Sequence, residues 1–205
     1  SAMDIPYFSV TTTVDVTALV HLGKERDLSF FSLCLYGIVH GLNATEAFRY
    51  RVLPDGRVIL HHTVETMYIL LRADKTITAV SAPLLPDFDE FRLEQRRREE
   101  LAAHAPPNFY AGEDRKVAFF SSVPWLAFTS LTHPCQIGAK YDSIPRLTIG
   151  RYTRHPDGRI TMPLDRHMHH GFVDGYQIHA LLTNVQALWD GLRQKEYGNH
   201  SAQKG

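Results

Sequence analysis

The chain has 205 residues, 44% of them hydrophobic, and its 22 lysines and arginines balance 22 aspartates and glutamates. That length and apolar content suit one domain with a buried core, and the zero net charge argues against a global field for nucleic acid or an anionic membrane. Two cysteines, Cys34 and Cys135, lack metal-ligand spacing, and no run is long enough to span a bilayer, so a reducing, cytoplasmic setting is expected.

After Ser1-Ala2-Met3, which reads as an expression scar, Phe8 to Val16 alternates apolar and polar side chains as a half-buried strand does. Ser29 is placed to cap Phe30 to Leu42, a run too long and unbroken for a strand and read as a buried helix. Phe48 to Leu53 and Arg57 to Leu60 flank Pro54-Asp55-Gly56, and Thr66 to Arg72 and Thr76 to Ser81 flank Ala73-Asp74-Lys75, giving two hairpins. Asp87 to His104 is expected to be a solvated surface helix, in which Arg96-Arg97-Arg98 are interleaved with glutamates and form an exposed face rather than an anion site. Strands are expected at Val117 to Ser122, Leu126 to Leu131, Leu147 to Arg154 and Arg159 to His169, the last two joined through Pro156-Asp157-Gly158. Asp174 to Arg193 carries Ile178, Leu181, Leu182, Val185, Leu188, Trp189 and Leu192, the stripe of a long amphipathic helix, with a polar, frayed tail after Tyr197. The order implies a mixed α/β (α+β) fold in which helices pack on one sheet.

The segment His167-Met168-His169-His170-Gly171-Phe172-Val173-Asp174-Gly175-Tyr176 lies where a strand ends and the long helix begins. Histidine takes and returns a proton near neutral pH. Alternation turns His167 and His169 to one face and His170 to the other, and Asp174 is placed to cap the helix or hold the loop. Adjacent histidines on a strand diverge, so a metal site is the weaker reading, and His61-His62 support one still less.

The segment resembles the HHxxxDG signature shared by chloramphenicol acetyltransferases and the acyltransferase cores of 2-oxo acid dehydrogenase complexes. Ser121-Ser122-Val123-Pro124-Trp125 and Pro145-Arg146-Leu147-Thr148-Ile149-Gly150-Arg151-Tyr152 are similar to two further blocks of the chloramphenicol acetyltransferases, at fitting separations, and the likeness runs from about Ile5 to Leu192. It implies a coenzyme-A-dependent acyltransferase fold and acetyl transfer from acetyl-CoA, without metal, to a hydroxyl of a small hydrophobic acceptor such as chloramphenicol. His170 is then the general base and Ser121 the donor to the oxyanion. Thr148 and Phe8 lie on the acceptor side, Asp174 supports the loop, and Tyr152, Arg151 and Trp125 lie along coenzyme A. It further implies a homotrimer with His170 of one subunit facing Ser121 and Thr148 of the next.

The family pattern begins earlier, with an arginine that pairs with the signature aspartate; either the start of the chain is truncated, or another basic group satisfies Asp174. Ser29, Phe30 and Phe31 stand where the family often has a lysine and a tyrosine that hold coenzyme A, and Gln177 stands where many members have histidine. Two other readings stay open: a ligand-binding protein on the same fold with little catalysis, and the core of a multienzyme complex.

Overall fold

The computed structural model describes residues 5–109, 115–134 and 142–202, with backbone alone for 193–202; Ser1-Ala2-Met3 and Cys135 fall outside these residues. In chain order come β1 (Tyr7–Asp15), α1 (Thr17–Glu25), α2 (Phe30–Ala44), β2 (Tyr50–Val52), β3 (Val58–Leu60), β4 (Glu65–Leu71), β5 (Ile77–Ala82) and α3 (Phe88–His104). They are followed by β6 (Val117–Val123), β7 (Arg146–Gly150), β8 (Thr153–Arg154), β9 (Ile160–His169) and α4 (Gly175–Ala202). The main sheet has the order β1-β9-β7-β6-β4-β5, with β8 also paired to β9, and β2 and β3 form a separate hairpin. β4, β6 and β7 run parallel, whereas β1, β9 and β5 are antiparallel to their partners. This is the mixed α/β arrangement expected.

Strand alternation divides the sheet into two unlike faces. Ala118, Phe120, Leu147, Ile149, Leu164 and Met168 join one core with Leu33, Leu35 and Ile38 of α2 and Leu181, Val185 and Trp189 of α4. Ser29 caps α2, its hydroxyl accepting the Ser32 N–H at 3.3 Å, and the helix is buried on nearly all sides, which is why its sequence shows no polar stripe. The opposite sheet face carries Ser121, Thr148, Asp165 and Thr11 in one row, because β6, β7, β9 and β1 pair them directly. Both turns written Pro-Asp-Gly close as three-residue loops with the glycine left-handed, Gly56 at φ 85° and Gly158 at φ 88°. Lys75 takes the same role at φ 65°.

Four expectations need correction. Leu126 to Leu131 is not a strand: Pro124 leads a turn closed by the Leu126 N–H on the Val123 carbonyl at 3.1 Å, and the chain leaves the ladder there. Leu147 to Arg154 is broken into β7 and β8, because the Arg151 N–H donates to the Leu126 carbonyl at 2.8 Å instead of to a strand. The strand expected from Phe48 begins only at Tyr50, after a 3₁₀ turn at Glu46–Arg49. The last helix continues through Ala202, past the Arg193 boundary. Helix α1 was not foreseen, although Val16, Leu19 and Val20 have helical spacing and are buried.

Candidate active site

The β9–α4 loop is held by backbone bonds that leave one histidine outward. The His170 N–H donates to the Pro6 carbonyl at 2.7 Å, and the Phe172 and Val173 N–H groups both donate to the His169 carbonyl at 3.1 Å. His167 and His169 turn toward Tyr7, with ring centroids 5.7 Å away in each case, while His170 lies edge-on to Phe8 at 5.0 Å. The two buried rings are depressed below the ordinary histidine value, chiefly by desolvation. His169 Nδ1 accepts the Gly171 N–H at 3.0 Å. A Cβ at Gly171 would lie 2.8 Å from the His169 ring, so the close loop needs glycine.

His170 is exposed, and its Nδ1 is 3.1 Å from the Val173 carbonyl oxygen. A carbonyl only accepts, so Nδ1 carries a proton toward Val173 and Nε2 is the ring nitrogen left without that bond. Asp174 is exposed rather than buried and caps α4: its Oδ1 accepts the Tyr176 N–H at 2.8 Å. Gln177 Oε1 accepts the Asp174 N–H at 2.9 Å, completing a reciprocal capping box. No basic partner for Asp174 is found among the described residues. Solvent and the cap satisfy that carboxyl group instead.

The sheet face opposite the helices holds a second polar group that sequence reasoning missed. Asp165 is fully buried, and its Oδ1 accepts the Thr11 hydroxyl at 2.6 Å. His133, from the segment after the Pro124 turn, lies over this row, with Nε2 3.3 Å from Thr148 Oγ1 and 3.3 Å from Asp165 Oδ2. The Asp165 contact is at ion-pair distance but off hydrogen-bond alignment. His167 Nδ1 meets Ser9 Oγ at 3.0 Å beside them. Next along β9, Arg166 turns to the other face, where burial pulls its guanidinium down to about 10 and the Val10 carbonyl and Thr12 hydroxyl accept its hydrogen bonds. Isolated Asp and His positions gave no periodic signal, and Asp165 alternates with Thr161, Pro163, His167 and His169 on its face of β9, so the strand pattern did not single it out.

Ser121 and Thr148 lie level with Asp165, and His170, the first residue past the end of β9, is five residues farther on, about 17 Å at ~3.4 Å per residue. It also belongs to the opposite sheet face, with Phe8. Within one chain the histidine cannot reach Ser121.

The sequence profile of the chloramphenicol acetyltransferase family matches residues 4–186. The chain belongs to that family. It is 24% identical over 183 residues to chloramphenicol acetyltransferase 3 of Escherichia coli, covering 88% of this chain and 84% of the relative. To chloramphenicol acetyltransferase 2 of the same organism it is 25% identical over 187 residues, covering 90% and 86%. A solved chloramphenicol acetyltransferase superposes with TM-score 0.80 at 27% identity, covering 91% of this chain and 89% of that one. The dihydrolipoamide acetyltransferase of Azotobacter vinelandii shares the fold, with TM-score 0.71 at 17% identity, covering 93% and 84%.

The chain is thus an acyltransferase of the chloramphenicol acetyltransferase type, and the family implies acetyl-CoA as co-substrate. Of the residues expected along coenzyme A in such an enzyme, Trp125 is 73% exposed at the turn after β6. Arg151 is exposed just past β7, and Tyr152 is half-buried between Phe30, 5.4 Å away between centroids, and the Arg154 guanidinium at 5.5 Å. Phe30 therefore takes part in this surface through the tyrosine. No described helix is long and apolar enough to cross a membrane. Among the described residues no group of three or more histidines, cysteines or carboxylates is arranged to hold a metal.

Proposed function

We propose that this chain is an O-acetyltransferase that moves the acetyl group of acetyl-CoA to a hydroxyl of a small hydrophobic acceptor, chloramphenicol in the first instance, so conferring antibiotic resistance in the cytoplasm. The observation that carries the reading is the His170 ring, whose Nδ1 is committed to the Val173 carbonyl while Nε2 is left outward as proton acceptor. His170 Nε2 takes the acceptor's hydroxyl proton as that oxygen attacks the thioester carbonyl. The tetrahedral oxyanion receives a hydrogen bond from Ser121, with Thr148 beside it. Collapse forms the acetyl ester and expels the thiolate of coenzyme A, which takes the proton back from His170. Asp174 keeps the loop in place through its cap, and Trp125, Arg151 and Tyr152 line coenzyme A.

The roughly 17 Å offset between His170 and the Ser121 row, on opposite faces, supports a site built from two copies of the chain. A head-to-tail ring closes such contacts, and three copies are proposed. Cys34, buried and unpaired, fits a reducing compartment.

Thiol release from acetyl-CoA, followed with a thiol-reactive dye in the presence of chloramphenicol and a panel of other alcohols, tests the reading. Acceptor-dependent release abolished in His170→Ala is expected. No release above background hydrolysis with any alcohol would sink it and leave a ligand-binding protein on this fold.

A further inference from the structure

The geometry points to His133 as a positioning residue that makes the Thr148 hydroxyl a proton donor toward the Ser121 side of the site; this rests on the acetyl-transfer reading above. Three observations converge. Nε2 of His133 faces Thr148 Oγ1 and Asp165 Oδ2 at the same 3.3 Å. Asp165 has no exposed surface, and its other oxygen is already taken by Thr11. Thr148 is paired directly with Ser121 across β6 and β7, so their side chains are neighbours on one face.

The tautomer follows from what each group can do. If Nε2 carried only a lone pair, that lone pair would face an oxygen of the buried carboxyl group, which is electrostatically unfavourable. An Nε2–H instead donates to Thr148 Oγ1 at 3.3 Å, longer than an ordinary bond, and keeps its positive edge at ion-pair distance from Asp165 Oδ2, off hydrogen-bond alignment. Thr148 Oγ1 is then an acceptor from His133, and its single proton remains available toward Ser121 and the developing oxyanion. Thr11 completes the chain by donating to Asp165 Oδ1, which fixes the carboxyl group and through it the imidazole. Thr11, Asp165, His133 and Thr148 therefore act as a relay of orientation. His133 itself moves no proton in the reaction.

The test is a kinetic cycle on His133→Leu, His133→Gln, Thr148→Val and the Leu/Val double variant, with folding checked by thermal melting. Loss of a single oriented donor predicts a kcat lowered roughly 10- to 100-fold in His133→Leu with KM for both substrates within about twofold. Gln restores an N–H near the Nε2 position and is expected to recover most of kcat. The double variant is expected to be no worse than Thr148→Val alone within about threefold, because both changes remove the same hydrogen bond. Ring nitrogen chemical shifts of His133 are expected to show the Nε2–H form. An active wild type whose His133→Leu keeps kcat within about twofold, or whose loss lies in KM, or whose losses multiply in the double variant, overturns the proposal alone. A wild type inactive with every acceptor overturns the acetyl-transfer reading and takes this proposal with it.

Discussion

Mixing two inactive variants, His170→Ala and Ser121→Ala, is expected to restore activity. The reason is geometric: Ser121 is level with Asp165 in the sheet, His170 lies about 17 Å farther on, just past the end of β9, and the two side chains face opposite ways. One chain therefore cannot supply both groups to one site. Under the proposed roles each parent lacks either its base or its oxyanion donor and is expected to fall on the order of 10²–10⁴-fold below wild type. In a head-to-tail ring every site takes its histidine from one subunit and its serine from the next. When equal amounts are co-refolded and reassort at random, half the histidines and half the serines are intact, so about a quarter of the sites are wild type. Thiol-release rate per subunit should rise from at most about 1% in either parent to about 25% in the mixture. Mixed oligomers verified by native mass spectrometry, yet no more active than the parents, would refute the shared site.

Three further outcomes are expected. Ser121→Ala lowers kcat on the order of 10²-fold with little change in KM, whereas Ser122→Ala, turned toward the helices opposite Ile149, stays near wild type; equal small losses in both remove the oxyanion role. Asp174→Ala loses the α4 cap, about 1 kcal/mol and a Tm drop of about 2–4 °C, with kcat falling alongside, while Asp174→Asn keeps a cap and most of both; full loss of activity in Asn at unchanged Tm would mean a direct catalytic carboxylate. His167 and His169 titrate below the ordinary 6.5 when folded, so the unfolded chain takes up protons first as pH falls. Their contribution to stability is complete above about pH 6.5 and is lost as pH falls below it, so Tm should decline from there to about pH 5, less steeply in His167→Gln. A Tm that rises with acidification over that interval contradicts the assignment.

What is local was legible in the sequence. Ser29 announces α2 because a hydroxyl before an apolar run can accept an orphan N–H, and it does so from Ser32. The two Pro-Asp-Gly turns are legible because glycine takes the left-handed conformation the loop requires. Ile178, Leu181, Val185 and Trp189 mark the buried face of α4 because helical spacing alone places them together. The same local rules separate His170 from His167 and His169 and put Asp174 at a helix start. Pairing between distant segments is another matter, since alternation gives a residue its face but never its neighbour across the sheet. Only the tertiary structure aligned Ser121 with Thr148 and Asp165, and so measured how far His170 stands from them. Leu126 to Leu131 has strand-like composition, but the Pro124 turn and the Arg151 N–H draw it out of the ladder and carry His133 over the face opposite the helices. That placement depends on contacts between residues far apart in the chain, and no spacing within the sequence encodes it.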